Sequence, residues 1–120
     1  MFQFKVNFSS FSLKSNIIND SLKYYLLTIP VTTKDFINNL IDYYISEASS
    51  YKQFAQEYAP DITDITVATF GIIIGCVYSG FLQAYANQKQ KPSLDDIQEF
   101  HQIIKRRANQ IKKGVLDAKI

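Results

Sequence analysis

Apolar and polar positions alternate at the start of the chain, where Phe2, Phe4, Val6 and Phe8 are separated by Gln3, Lys5 and Asn7. A period of two marks a half-buried strand, so a strand is expected there. The next apolar run, SLKYYLLTIP, fits a partner strand ended by Pro30. It also fits a short helix with Ile18, Leu22, Tyr25, Leu26 and Ile29 on one face. From Thr32 the period becomes helical. Phe36, Ile37, Leu40, Ile41, Tyr44, Ile45, Ala48, Tyr51, Phe54, Ala55 and Tyr58 share one side, with Asn38, Asn39, Asp42, Ser46, Ser49, Gln53 and Glu57 opposite. The pattern predicts one long amphipathic helix over 33–58, with Thr32 and Asp35 at capping-box spacing and Pro60 as its stop.

After the connector PDITD, Asp61 or Thr63 is placed to cap a second helix, and Asp61 and Asp64 suit the positive end of its macrodipole. That helix is different in kind. No charged residue occurs from Ile65 to Gln88, a run of 24 residues. As a helix it extends roughly 36 Å, enough to cross a hydrocarbon core of about 30 Å. Ala68, Gly71, Gly75 and Ser79 align on one side of it, and Phe70, Ile73, Ile74, Val77 and Phe81 on the other. An interior glycine costs a helix about 1 kcal/mol relative to alanine, so Gly71 and Gly75 predict a groove into which another backbone docks. In lipid the same spacing is the small-xxx-small contact between helices. A buried core helix of a soluble bundle has a similar pattern, with Thr66, Thr69, Tyr78, Ser79 and Gln83 tempering the apolar run.

Pro92 and Ser93 open a third helix, with Ser93 and Asp96 at capping-box spacing and a seam of Ile97, Phe100, Ile104, Ala108, Ile111 and Val115. Prolines 30, 60 and 92 thus divide the chain into a strand, hairpin or surface segment over 1–31, an amphipathic helix in 32–60, the glycine-bearing helix in 61–90 and an amphipathic basic helix in 91–120. The expected fold is mainly α, with three long helices, the middle one a candidate single transmembrane span. A short N-terminal β-hairpin would make a soluble version α+β.

Composition narrows the environment. The chain has 120 residues, 47% hydrophobic and 20% charged, with a net charge of +2, which fits one folded domain and argues against nucleic acid. Charge is unevenly spread: five Lys/Arg and seven Asp/Glu precede residue 65, while eight and four follow residue 88. If the middle helix spans, this basic excess orients the C-terminus toward the cytoplasm or matrix. Cys76 is the sole cysteine, so an intrachain disulfide framework is excluded. The first twenty residues have no acid before Asp20, a composition like that of a mitochondrial targeting segment but without arginine, and retention rather than cleavage is expected.

Chemistry is sparse. His101 is the only histidine and has no cysteine at ligand spacing, so no metal site is expected. Ser79 lies in no nucleophile elbow, and Gly71 to Gly75 lacks the Gly-Lys-Ser/Thr ending of a phosphate loop. Asp95 and Asp96 read as helix-start residues rather than an acid-base pair. Neither enzymatic activity nor a cofactor is expected. One basic cluster, Lys105, Arg106, Lys112 and Lys113, lies opposite the seam of the last helix. It reads as a solvated face or as a contact for anionic lipid or an acidic subunit; with no aromatic among these residues, nucleic acid is disfavoured.

The segment ATFGIIIGCVYSG resembles the glycine-patterned single span of the small e and g subunits of mitochondrial ATP synthase, on the strength of Gly71 and Gly75. The g-type span lies close to its C-terminus, whereas a long segment follows Gln88 here. The resemblance implies a span packed against a neighbouring span in a membrane-embedded dimer region. The expected function is therefore a non-catalytic accessory subunit of a membrane complex, in a mitochondrial inner-membrane respiratory or ATP synthase complex. Its partners would be other subunits, anionic lipid or a second copy. The alternative is a soluble, cytoplasmic α+β protein-binding module, an inhibitor, adaptor or chaperone with a hairpin on a three-helix bundle.

Overall fold

A computed structural model describes residues 29–120. Among these residues there are four helices, α1 (Val31–Ser46), α2 (Ala48–Gln56), α3 (Ile65–Asn87) and α4 (Leu94–Asp117), and no strand. The strand expected at Phe2 to Phe8 and the strand or helix expected in SLKYYLLTIP before Ile29 lie outside the described residues.

The single helix expected over 33–58 is two. It breaks at Glu47, whose backbone N–H reaches the carbonyls of Tyr43 and Tyr44. Ser46 donates its hydroxyl to the Tyr43 carbonyl, the kind of back-bond that bends a helix. Thr32 and Asp35 do not form the expected capping box. Pro30 is the N-cap and carries no side-chain cap, so α1 begins one residue before Thr32.

Nor do Asp61 and Thr63 cap α3. Asp64 does, its Oδ1 accepting from the Val67 N–H at 3.0 Å, because it stands directly before the first helical residue with extended backbone. At the other end Lys89 takes a left-handed φ of 54°, and the Gln90 N–H returns to the Tyr85 carbonyl at 3.0 Å. This Schellman turn closes α3 with a lysine where glycine is usual. The capping box of α4 forms as the spacing requires: Ser93 Oγ accepts from Asp96 N–H, and Asp96 Oδ2 accepts from Ser93 N–H.

The helices form three rods, up, down and up. α1 with α2 is the first rod, α3 the second and α4 the third. Asn38 and Asp42 meet Arg107, and Lys52 meets the end of α4, so the first and third rods run parallel. α3 runs against both: Phe70 lies beside Lys112 and Tyr78 beside His101. The core between them contains Ile37, Leu40, Ile41 and Tyr44 from the first rod, Ile73, Val77 and Phe81 from α3, and Phe100, Ile104, Ile111 and Val115 from α4. Phe81 and Phe100 pack with ring centroids 4.8 Å apart. Removing such a side chain from water stabilises the fold by about 1.5–3 kcal/mol, which makes this three-way seam the main cohesive element.

Two close approaches bring the rods together. A Cβ on Gly80 would lie 2.6 Å from Leu40 Cδ1, and one on Gly114 would lie 2.8 Å from Ile45 Cγ2. A side chain at 80 or 114 would therefore force Leu40 or Ile45 to shift, so packing favours glycine at both positions.

Candidate functional site

Thr69, Ile73, Val77, Gly80, Phe81, Ala84 and Tyr85 form the buried side of α3. The bulky side that the sequence sets opposite the glycines is the one that faces the bundle: Ile73, Val77 and Phe81 are buried, with Phe70 and Ile74 half-buried beside them. The small-residue side points away from both neighbouring rods. Gly71, Gly75 and Ser79 are exposed and Ala68 is half-exposed. Among the described residues no atom lies within 4 Å of a Cβ built on Gly71 or Gly75. No other described helix occupies the groove predicted from these glycines; among the described residues the close approaches are at Gly80 and Gly114 instead.

The free side of α3 is uncharged along its whole length. Only 28% of its most apolar 18-residue stretch is buried within the bundle, and the helix is long and apolar enough to cross a membrane. Val67 and Leu82 add exposed apolar surface to the strip.

α4 borders this strip along one edge. His101 stacks on Tyr78 at a centroid distance of 6.4 Å, and the Lys112 ammonium lies 5.9 Å from the centre of the Phe70 ring. The four predicted basic residues, Lys105, Arg106, Lys112 and Lys113, are all exposed on the outward face of α4, opposite the seam, as expected. Lys113 pairs with Asp117 one turn on. The adjacent Arg107 behaves differently. It turns inward to Asp42 and to the Asn38 carbonyl of α1, which the heptad-like spacing of α4 foretells by placing residue 107 near the seam.

Two polar ties fix the face in position. Lys52 donates to the Val115 and Ala118 carbonyls at 2.8 and 3.1 Å, closing the end of α4 with a cation where the helix dipole is negative. Tyr85, on the buried side of α3, donates its hydroxyl to Asp96 Oδ2 at 3.2 Å, so the α4 capping box also anchors α3. Burial of Tyr44, with smaller contributions from Cys76, Tyr51 and Tyr43, pushes its phenol up to about 12.

Among the described residues no three His, Cys, Asp or Glu side chains converge as a metal site would require. Compared with known protein families, curated proteins and solved structures, the chain matches none.

Proposed function

We propose that this chain is a non-catalytic accessory subunit of a membrane complex, joined to a neighbouring subunit through the free face of α3. The observation that supports this most is energetic. Gly71 and Gly75 each cost the helix about 1 kcal/mol, and nothing in the described fold approaches either closely enough to need the space. An outside helix seated at close range would offset that cost, by the backbone approach that small residues permit. The ATP synthase resemblance of this segment would make a mitochondrial inner-membrane complex the first setting to search.

A second reading has its own observation. Phe70 beside Lys112 and Tyr78 beside His101 run α4, with its cations Lys105, Arg106 and Lys112, alongside the middle of α3. Were α3 to cross a bilayer in this closed arrangement, those cations would enter the hydrocarbon at about 2.5–3.5 kcal/mol each. Crossing therefore requires α4 to part from α3, whereas a soluble protein-binding module would dock by the same face with the bundle closed.

Expression without detergent, followed by separation of membranes and an alkaline carbonate wash, discriminates the two: retention supports the span, release supports the closed module. Affinity purification of wild type and a Gly71→Leu/Gly75→Leu variant tests the face itself. Both positions are open among the described residues, so the variant should fold and lose its partner; a partner recovered in full would refute the role of this face.

A further inference from the structure

We infer that the outward face of α4, formed by Lys105, Arg106, Lys112, Lys113 and Leu116, is a binding surface for an anionic bilayer. The inference rests on the membrane setting proposed above, with the closed bundle at the bilayer surface rather than α3 crossing it, and it uses the outward face of α4 and the adjoining Val67 rather than Gly71 and Gly75.

Charge is the first argument. From Phe100 to Leu116 the chain has five cations and no acid; Arg107 turns inward to Asp42, and Lys113 pairs with Asp117 just beyond the stretch. Lys105 and Arg106 have no ion pair among the described residues, and Lys112 meets only the Phe70 ring. The neighbouring strip on α3 is uncharged from Ile65 to Gln88, so no carboxylate on that side repels an anionic surface.

Apolar side chains in the same region are the second argument. Leu116 follows Lys112 and Lys113 by one turn and is 64% exposed. Val67 is also 64% exposed and lies one turn before Phe70, the residue against which Lys112 rests. Cations with water-facing apolar side chains among them match a surface that is anionic at its headgroups and apolar beneath. A nucleic acid supplies the anions but no apolar layer for Leu116 and Val67. The closed bundle would therefore lie along the membrane with its cations at headgroup level.

Flotation of the full chain tests this with vesicles of phosphatidylcholine alone and of phosphatidylcholine with one-third phosphatidylglycerol. The chain should float with the anionic vesicles, be released as salt rises, and stay behind with the neutral ones. Replacing Lys105, Arg106, Lys112 and Lys113 with glutamine should weaken binding about a hundredfold or more, at about fivefold per charge. Lys105→Arg/Lys112→Arg, which keeps the charge, should bind as wild type. Equal binding to the two vesicle types, binding to neither, or undiminished binding by a glutamine variant with unchanged helical circular dichroism would overturn the inference. So would displacement from vesicles by single-stranded DNA or polyglutamate at equal charge, which would assign the face to another anion. Gly71→Leu/Gly75→Leu separates the two proposals: it should still float while losing its partner. Failed flotation with the partner still bound refutes the lipid surface alone, and a retained partner in the leucine variant refutes the α3 docking face alone.

Discussion

The glycines of α3 are chemically identical and structurally opposite, and alanine substitution should separate them. At Gly75 an alanine Cβ meets nothing within 4 Å among the described residues. The substitution should recover the helix propensity that glycine forgoes, about 1 kcal/mol, and raise the melting temperature by about 4 °C for a domain of this size. At Gly80 the same atom would lie 2.6 Å from Leu40 Cδ1, and Leu40 is itself enclosed by the core. Overpacking of this kind costs about 1–3 kcal/mol, so after the propensity gain Gly80→Ala should be neutral to destabilising by about 2 kcal/mol. The cycle with Leu40→Ala makes the argument sharper. Alone, Leu40→Ala should cost about 2–5 kcal/mol, but it removes the clashing methyl. In that background Gly80→Ala should become stabilising, giving a coupling energy with a reversed sign. Urea denaturation followed by circular dichroism measures all four corners, with the slope m checking that the unfolded state is unchanged. If Gly80→Ala stabilised equally in both backgrounds, the close approach of α3 to α1 would be wrong. If Gly75→Ala destabilised the isolated chain, the free face would be covered by the chain itself.

Two further expectations concern the ties that hold the rods. Asp96→Ala removes the acceptor of both the Ser93 N–H and the Tyr85 hydroxyl, so it should destabilise by about 2–3 kcal/mol, and hydrogen exchange should accelerate at the start of α4. The phenol of Tyr44 is neutral in the fold and its pKa is raised from 10.0 to about 12, so the unfolded chain loses this proton first. Its contribution to stability is complete below pH 10 and should be lost as pH rises from 10 to 12, and Tyr44→Phe should flatten that alkaline decline in a urea series measured at stepped pH.

Much of this architecture is written in local pattern. The seam of α4 is buried at Phe100, Ile104, Ile111 and Val115 because spacing alone decides which side of a regular helix faces inward. The Ser93 to Asp96 box was legible for the same reason, being complete within four residues. Thr32 and Asp35 show how spacing misleads: the residues are right, but the helix starts at Val31, and a box out of register caps nothing. The outward direction of Gly71 and Gly75 could not be read from α3 alone. Their glycine pattern is what a close approach of another backbone would use, and only the arrangement of the other rods shows that no described part of this chain makes one. Gly80 and Gly114 carried the converse signal, since each is matched to one side chain, Leu40 or Ile45, distant in sequence.

The parallel contact of the first and third rods has a consequence for the order of assembly. α3 neighbours each of them in sequence, so its two interfaces close short loops and form early. The polar ties between the first and third rods join Asp42 to Arg107, Lys52 to Val115 and Ile29 to Glu99, separations of 65, 63 and 70 residues. Closing loops of that length costs the most entropy, and the bonds that close them are charged and screened by salt. Ionic strength therefore tunes only part of this seam, its polar ties, while the apolar approach of Ile45 to Gly114 holds the same two rods whatever the salt.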